Sequence, residues 1–320
     1  MSAAPQLIGS SGDSLREAFG KSLVDLAERY PDFVVLDGDV AGGTGTHHFR
    51  KHYPRRFYQC GIAEQNMVSL AAGMATVDLP VFVTTFAVFS LRAVEQVRLS
   101  VAYARRNVKI VASHPGLDVG PDGASAQCLE DLAMYRAIPG MTVISPADPL
   151  EVAAATEAML KYDGPVYMRS GRSPAQRIFE HKPNFTIGKA QVLREGSDVT
   201  LVACGKMVAQ SLEAAAHLAE KGISAEVVNA ATLKPFDHAT LETSVTKTGA
   251  VVSAEDHNIF GGLGGAVAES LALHRPAPLE MVGVRDTFGE SGEPDELNHK
   301  YGLTPAAVAA AAKRVIARKA

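Results

Sequence analysis

Several residue types that mark particular protein classes are scarce in this chain. Its 320 residues contain no Trp, and aromatic residues make up only 6% of the sequence. There are three cysteines, Cys60, Cys128 and Cys204, which lie far apart and are odd in number. Such spacing provides neither a disulfide framework nor a cysteine-based zinc site, and it fits a reducing, cytoplasmic environment.

Positive charge is not in excess either. Lys and Arg total 31 against 35 Asp and Glu, so the formal net charge is −4. Nucleic-acid-binding surfaces are typically built from clustered Lys and Arg. We therefore expect no nucleic-acid partner.

Long apolar runs are also missing. No stretch approaches the ~18 uncharged apolar residues that a membrane span needs. Residues 1–14 lack the basic segment followed by an apolar core that is typical of a signal peptide. From these features we expect a soluble cytoplasmic protein that is not inserted in a membrane.

The sequence does contain alternating strand and helix patterns. Its length fits two domains of roughly 100–200 residues each. Short runs that are apolar on both faces alternate with helical periodicity in the first half, which indicates a parallel sheet covered by helices on both sides. The predicted strands are 33–36, 81–85, 108–112, 142–144 and 166–168, and the predicted helices are 15–27, 63–75, 92–104 and 149–161.

A polar, turn-rich passage over residues 174–188 interrupts this alternation and is interpreted as a linker. The alternation then restarts, so we expect an α/β protein with domains at 10–178 and 188–320, the second smaller than the first. Its predicted strands are 199–203, 225–229, 250–253 and 279–284, with helices at 207–221, 266–273 and 305–317.

The loops after the predicted strands are the places where a parallel sheet binds ligands. Residues 37–46 hold two carboxylates and four glycines, which suit either close approach of a ligand or a simple flexible turn. Glu64 lies in the first turn of a helix rich in small residues. Its carboxylate is favoured there by the helix dipole in any case, so a purely structural role stays open.

Three later loops also carry polar or aromatic residues. Phe86 and Phe89 follow one strand, and they suit either stacking on a flat heterocycle or core packing. His114 precedes a glycine-rich stretch that includes Asp122. The pattern puts Arg169 and Arg172 beyond the last strand of this half, where a guanidinium fork grips phosphate or carboxylate, although a solvated loop arginine is the ordinary alternative.

Taken together, these loops resemble the C-terminal half of a transketolase. That half comprises the pyrimidine-binding domain and the C-terminal domain of a thiamine-diphosphate-dependent enzyme, and the resemblance covers residues 10 to 320. Its most specific part is the Gly-Ile-Ala-Glu-Gln-Asn stretch at 61–66. Supporting parts are the Phe86/Phe89 pair, the 114–127 stretch, Ile-Ser-Pro-Ala-Asp at 144–148 and the glycine run at 261–265.

The resemblance implies roles for individual residues around the cofactor. Glu64 is the catalytic carboxylate that hydrogen-bonds N1′ of the cofactor pyrimidine. Phe86 and Phe89 enclose that ring, and Asp39 lies near the thiazolium.

It also implies a substrate site for a small sugar or sugar phosphate. His114, a second catalytic residue, and Asp122 handle the hydroxyl groups of the sugar. Arg16 and Arg169 hold a terminal phosphate, and Arg172 assists them. The implied reaction is transfer of a two-carbon ketol unit from a ketose to an aldose.

The sequence departs from the family pattern at two positions in this region. Ala126 stands where many transketolases have a histidine, and Gly43 stands where a phosphate-binding serine is common. Because a buried polar group left without a partner costs ~1–3 kcal/mol, we expect a ketol donor or acceptor that differs from the standard pentose and hexose phosphates.

A larger departure concerns the diphosphate site. Thiamine-diphosphate enzymes hold the diphosphate through Mg²⁺ or Ca²⁺ on a Gly-Asp-Gly motif with a downstream Asn, and the only near match here is Asp37-Gly38-Asp39. The resemblance therefore assigns no metal ligand to this chain. It implies an N-terminal partner subunit that holds the metal, and association of the two chains into a heterodimer or heterotetramer.

Other functions stay open from the sequence alone. Within the superfamily, the alternatives are the β subunit of a 2-oxo acid dehydrogenase and a deoxyxylulose-phosphate synthase. The glycine run at 261–265 also suits a dinucleotide loop of an oxidoreductase, although a glycine cluster alone is a weak signal. A non-catalytic interaction subunit is the remaining alternative, and retention of Glu64, Phe86, Asp122 and Arg169 argues against it.

Overall fold

The computed structural model describes residues 10–319, and of Ser10 and Ser11 the backbone only. Most of the segment tested for a signal peptide, and the last residue of the expected second domain, lie outside this range. The strands are β1 Ser10–Ser14, β2 Val34–Asp37, β3 Phe57–Gln59, β4 Val81–Phe86, β5 Val108–Ser113, β6 Thr142–Ile144, β7 Val166–Ser170, β8 Pro174–Gln176, β9 Gln191–Arg194, β10 Val199–Ala203, β11 Ala225–Asn229, β12 Thr232–Lys234, β13 Val251–Asn258 and β14 Leu279–Val284. The α-helices are α1 Leu15–Arg29, α2 Ala41–Thr44, α3 His47–His52, α4 Glu64–Met74, α5 Ala87–Ser90, α6 Val94–Gln96, α7 Asp131–Ala137, α8 Pro149–Lys161, α9 Met207–Ala219, α10 His238–Thr248, α11 Leu263–Leu273, α12 Pro294–Tyr301 and α13 Pro305–Ile316.

The strands form two larger sheets and one small one. The first sheet has the order β12-β6-β7-β5-β4-β2-β3, and its strands are parallel except for β12. The second has the order β14-β13-β10-β11-β9, parallel except for β9. A short antiparallel pair, β1-β8, stands apart from both. The predicted α/β class, with a parallel sheet in each half, is confirmed.

Helices cover both faces of the first sheet because its central strands are apolar on both sides. Every residue of β5 is buried, and so are the first five residues of β4. On one face, Phe19 of α1 packs in a cluster with Phe82 of β4, while on the other Met67 of α4 packs with Val83. Helices α1 and α8 begin at side-chain caps, because Ser14 Oγ accepts from Glu17 N–H and Asp148 Oδ1 accepts from Glu151 N–H.

The structure differs from the sequence-based prediction in several places. Strand β3 and helices α7, α10 and α12 were not predicted. The predicted helix 92–104 is divided into a 3₁₀ turn at Leu91–Ala93, the short α6 and a π-helix at Val97–Tyr103. Strand β8 lies within the passage interpreted as a linker. Strand β12 comes from the second half of the chain but pairs with β6 in the first sheet, so the two halves share a sheet edge.

None of the helices within residues 10–319 combines the length and apolar character that crossing a membrane would require.

Candidate functional site

Parallel pairing brings the predicted loops to one edge of the first sheet. Strands β2, β4, β5 and β7 run in the same direction as neighbours. The segments that follow them therefore leave the sheet on the same side. We call the side chains that meet there the strand-end cluster, and its members are Arg16, Glu64, Phe86, Phe89, Arg92, His114, Asp122 and Arg172.

Glu64 lies at one end of this cluster, at the first position of α4. Its side chain is almost buried, with 4% of the residue surface exposed. The one ion pair that it makes within residues 10–319 is a 3.6 Å contact between its Oε2 and Arg92 NH1. The start of a helix carries partial positive charge, which favours a carboxylate there. Glu64 is thus a buried carboxylate with acceptor capacity left for a ligand.

A row of stacked rings continues from Glu64. Arg92 Cζ lies 5.4 Å from the centroid of the Phe89 ring. The Phe89 and Phe86 rings stack with centroids 5.4 Å apart and an angle of 12° between planes. Phe86 in turn stacks on His114 at 3.8 Å. Both phenylalanines are only half-buried, so they present apolar surface suited to a flat ring.

His114 stands at the far end of the row with its backbone in the left-handed region, at φ +57°. That conformation is uncommon for a residue with a side chain and is often found at functional sites. Burial, followed by the nearby charges of Arg16 and Arg172, lowers the pKa of His114 to about 3, against an opposing effect of Asp122. The imidazole is therefore neutral at physiological pH, and Ser113 Oγ at 2.9 Å from Nδ1 holds the ring in place. A neutral imidazole can donate one hydrogen bond and accept another.

Two guanidinium groups lie beside His114. Arg16 NH1 donates to Gly43 O at 3.3 Å, while its buried Nε has no hydrogen-bond partner within residues 10–319. Arg172 NH1 donates to Val119 O at 2.6 Å and lies 3.2 Å from Asp122 Oδ2. An unsatisfied guanidinium N–H next to a second, half-exposed arginine is an arrangement that suits an anionic group.

Gly43 approaches this row too closely to carry a side chain. A Cβ placed on Gly43 would lie 2.5 Å from Phe86 Cε1 and 2.7 Å from its Cζ. Such distances are well below van der Waals contact, so a serine at this position requires Phe86 to move. The glycine at position 43, where the family pattern has a serine, therefore leaves the space in which Phe86 stacks on His114.

The loop after β2 is organised by Asp37, whose role the sequence did not reveal. Its buried carboxylate accepts hydrogen bonds from Val40 N–H and from the hydroxyls of Thr44, Thr46 and Thr84. Asp39 is exposed, at φ +65°, and its backbone N–H and Oδ1 are bonded to the Gln59 side chain. The loop thus holds Asp39 just beyond the end of β2, against Gln59 at the end of β3.

Arg169 is not in the strand-end cluster, which departs from the expectation that it pairs with Arg16 on a phosphate. Strand β7 runs two residues further than predicted, so Arg169 lies within the strand and is only 5% exposed. Its Nε and NH2 donate to Asp131 and its NH1 to Asp256 O at 2.8 Å. Three of its five N–H donors are engaged within the fold, whereas Arg172 is more exposed and lies beside Asp122.

We call the group around Arg169 the junction cluster, made of Asp131, Tyr167, Arg169, Lys206 and Asp256. Tyr167 donates to Asp131 Oδ2 at 2.5 Å, and Lys206 Nζ lies 2.8 Å from Asp256 Oδ2. Burial alone would raise the pKa of Asp131, but Arg169 holds it below its usual value. The sequence missed this cluster because its members come from both halves of the chain.

Comparison with known proteins identifies both domains of the chain. The family model "Transketolase, pyrimidine binding domain" matches residues 12–176, and "Transketolase, C-terminal domain" matches residues 188–308. A curated relative, the 6-deoxy-6-sulfo-D-fructose transketolase subunit of a Clostridium species, is 45% identical over 306 residues, which is 95% of each chain. An apulose-4-phosphate transketolase subunit of Phocaeicola vulgatus is 35% identical, over 90% of this chain and 93% of its own.

Solved structures and longer relatives that resemble this chain are also transketolases. A structure described as a split gene transketolase, inactive beta4 tetramer, superposes with a TM-score of 0.91 at 47% identity, over 97% of this chain and all of that one. A transketolase from Pichia stipitis shares the fold, with a TM-score of 0.83 at 22% identity, and is covered over 48% of its length. The transketolase of Mus musculus is 34% identical and is covered over 50% of its length.

Thiamine diphosphate is the cofactor that this family implies, and the residues of the strand-end cluster fit its pyrimidine. The buried Glu64 carboxylate has acceptor capacity for a ring nitrogen, and the half-buried Phe86 and Phe89 offer flat apolar faces. Both domain models, the relatives and the fold indicate a transketolase. The chain belongs to the transketolase family, as a C-terminal section that carries the pyrimidine-binding and C-terminal domains, and is a transketolase-type transferase subunit.

Proposed function

We propose that this chain is the C-terminal subunit of a split, thiamine-diphosphate-dependent transketolase, with domains at 10–178 and 188–320. The enzyme transfers a two-carbon ketol unit from a ketose to an aldose. The observation that carries the proposal is the continuous row from Glu64 through Arg92, Phe89 and Phe86 to His114. It places a buried carboxylate, stacking surfaces and a neutral imidazole along one edge of a parallel sheet.

Each end of the row has its own task. Thiamine diphosphate, when bound, supplies an electron sink for breaking the C–C bond next to the ketone. Glu64 holds a proton at pyrimidine N1′, and Phe86 and Phe89 fix the ring and exclude water from it. Asp39 lies on the side of the thiazolium. His114 and Asp122 bond the sugar hydroxyls, and the low pKa of His114 keeps it neutral for that purpose.

The terminal anion of the sugar is held by Arg16 and Arg172. The buried, unsatisfied Nε of Arg16 within the described residues supports this assignment. Since Gly43 and Ala126 bring no hydroxyl and no imidazole, the pocket offers fewer hydrogen bonds to a phosphate than the family pattern does. The relative that acts on a 6-deoxy-6-sulfo sugar suggests a terminal sulfonate as one anion that suits this pocket.

A partner subunit completes the enzyme. It carries the Gly-Asp-Gly…Asn motif and holds the diphosphate through Mg²⁺ or Ca²⁺, for which this chain brings no matching motif. The two chains then assemble into a heterodimer or a heterotetramer. Self-association of this chain is supported by the relative solved as a beta4 tetramer, and a cytoplasmic location fits the three separate, free cysteines.

The test is reconstitution with an N-terminal transketolase subunit from the same organism that carries the Gly-Asp-Gly…Asn motif. Ketol transfer is measured for this chain alone, for the partner alone and for the mixture, with thiamine diphosphate and Mg²⁺. We expect turnover in the mixture only. Strong turnover by this chain alone contradicts the split enzyme.

The same mixture then tests substrate class. Ketoses ending in sulfonate and in phosphate are compared at equal concentration, with xylulose 5-phosphate as the standard donor. We expect another ketose to be used with higher kcat/KM than xylulose 5-phosphate. A clear preference for xylulose 5-phosphate contradicts the proposed difference in substrate. Decarboxylation of pyruvate by the mixture instead assigns the pair to the 2-oxo acid dehydrogenases or deoxyxylulose-phosphate synthases.

A further inference from the structure

Three side chains with metal-binding atoms converge behind Arg16, on the side of α1 that faces α3. They are Glu17, His47 and His48, and one ligand atom of each lies within 4.8 Å of the other two. No role is assigned to any of them by the proposed transketolase site. Within residues 10–319 this is the one set of three His, Cys, Asp or Glu side chains that meets this spacing.

The contacts within the set leave a ring lone pair free on His47, whereas His48 donates to Glu17 and must release that proton when it binds an ion. His47 Nδ1 lies 3.4 Å from Ala41 O, an acceptor, so its proton sits on Nδ1 and Nε2 carries the lone pair. His48 Nε2 lies 2.7 Å from Glu17 Oε2. The two imidazole rings have centroids 4.0 Å apart. All three side chains are half-buried, so they are partly shielded but can still be reached by an ion from solvent.

The backbone beneath the set is tightly fixed. Gly45, at φ +77°, lies between α2 and α3, and a Cβ there would be 2.2 Å from Arg16 O. A Cβ on Gly20 would be 2.0 Å from Gly45 O. Helix α1 and the turn that leads into α3 are therefore in direct backbone contact. Glu17 comes from one of these elements and both histidines from the other, so their relative positions are set before any ion binds.

We propose that Glu17, His47 and His48 form a binding site for a divalent transition-metal ion. Two imidazoles and one carboxylate with an open fourth position form a common zinc donor set. Imidazole nitrogen favours Zn²⁺ and its neighbours over Mg²⁺ and Ca²⁺, which take oxygen ligands. Binding requires the side chains to rotate, so that the ion takes the place of the Glu17–His48 contact and the His48 proton is released.

Such an ion would act as a clamp between α1 and α3. Arg16 directly precedes Glu17, and its guanidinium donates to Gly43 O in α2, the short helix that precedes α3. Binding at Glu17 thus fixes both elements that position Arg16. The cysteine spacing predicts no zinc site, and this site uses none of the cysteines.

The test uses the full chain alone, without cofactor or partner, and titrates it with Zn²⁺ by calorimetry and with Co²⁺ by visible absorption. We expect one ion per chain and the strong visible bands of tetrahedral Co²⁺. Because loss of a ligand removes more than the ~10–100-fold that outer contacts contribute, His47→Ala and His48→Ala should each lower affinity at least ~10-fold. Glu17→Gln keeps a hydrogen bond to His48 and should also weaken binding.

His52→Ala is the matched control, since His52 lies on the same helix and bonds only to His48 O among the described residues. It should bind Zn²⁺ like the wild type. Zn²⁺ should raise the unfolding midpoint of the wild type and of His52→Ala but not of His47→Ala. Absence of one-to-one binding, or equal loss in His52→Ala, overturns the site. Since no sugar or partner is present, this failure is separate from failure of the proposed function.

Discussion

The strand-end cluster and the junction cluster are both rich in charged side chains, but those of the junction cluster are paired with one another more completely. In the junction cluster, Arg169 places donors on Asp131 and on Asp256 O, and Lys206 pairs with Asp256. In the strand-end cluster, Glu64 has a single 3.6 Å ion pair within residues 10–319, and Arg16 Nε has no partner there.

The difference separates charges that stabilise the fold from charges that are available to a ligand. A buried charge is costly unless it is paired and hydrogen-bonded, so a paired set such as the junction cluster is complete without a ligand. An incompletely paired set is tolerated where a ligand supplies the missing contacts, and such sets concentrate at functional sites. Arg169 and Arg172 are three positions apart, yet Arg169 pairs with a buried carboxylate, whereas we expect Arg172 to be available to a ligand.

The largest expected effect is that of Glu64→Gln. The amide keeps the shape of the side chain but cannot hold the proton in the same way, so turnover of the reconstituted pair should fall by ~10²–10⁴-fold. Far-UV circular dichroism and the unfolding midpoint should be unchanged. The control is Glu95→Gln, because Glu95 is an exposed glutamate close by in α6. Full turnover with Glu64→Gln would remove this residue from the chemistry.

Breaking the junction cluster should cost stability rather than chemistry. Arg169→Leu leaves the fully buried Asp131 carboxylate without its guanidinium partner, which typically costs about 3–5 kcal/mol. The urea-unfolding free energy should fall by that amount.

The matched control replaces both partners. The double variant Arg169→Leu/Asp131→Leu removes the uncompensated charge and should recover a large part of the loss. If Arg169→Leu unfolds like the wild type, the junction cluster is not a stabilising network.

Smaller effects follow from the pH dependence of stability at His114. Folded His114 binds its proton only near pH 3, whereas the ordinary pKa of the group is 6.5. Between these values the unfolded chain binds more protons, so His114 makes the free energy of unfolding fall as pH drops from 6.5. His114→Gln should flatten this slope in urea unfolding at pH 4 to 7, and an unchanged slope would contradict the neutral, buried imidazole.

Glu151 should act in the opposite direction. Burial raises its pKa from 4.5 to about 7, while Ala147 N–H and the Asn229 side chain both bond the carboxyl group. The folded chain keeps this proton after the unfolded chain has lost it, so the contribution of Glu151 falls as pH rises from 4.5 to 7. Glu151→Gln should remove this decline in the same urea series, with His114→Gln as the control that retains it.

Much of the fold was predictable because buried parallel strands have a direct sequence signature. The runs at 81–85 and 108–112 are apolar on both faces, and the structure gives β4 and β5 there. Once these two strands are parallel neighbours, the meeting of Phe86 and His114 follows from topology and could be expected without coordinates. Glu64 instead follows β3, a strand that the sequence did not predict.

What could not be predicted depends on single residues or on distant partners. The apolar run at Arg169 ends at Met168, while the strand continues to Ser170 because Asp131 offers the arginine a buried partner. The π-helix at Val97–Tyr103 buries Val97, Val101 and Ala102, at four- and five-residue steps that are not distinguished from an α-helix in so short a segment. Strand β12 joins the first sheet from the second half of the chain, and no local pattern reports such an exchange.

The division between the two clusters is tested most directly by Arg172→Ala in the reconstituted pair. Two donors are compared, a ketose with a terminal anion and the uncharged L-erythrulose, and the unfolding midpoint is measured on the same preparation. Loss of a charge-assisted hydrogen bond of ~1.5–3 kcal/mol predicts a fall in kcat/KM of about 10-fold or more for the anionic ketose only. L-erythrulose turnover should fall much less than that, and the unfolding midpoint should fall less than it does in Arg169→Leu, because Arg172 loses only its contacts to Val119 O and Asp122. An equal loss on both donors, or a midpoint as low as that of Arg169→Leu, would contradict the account.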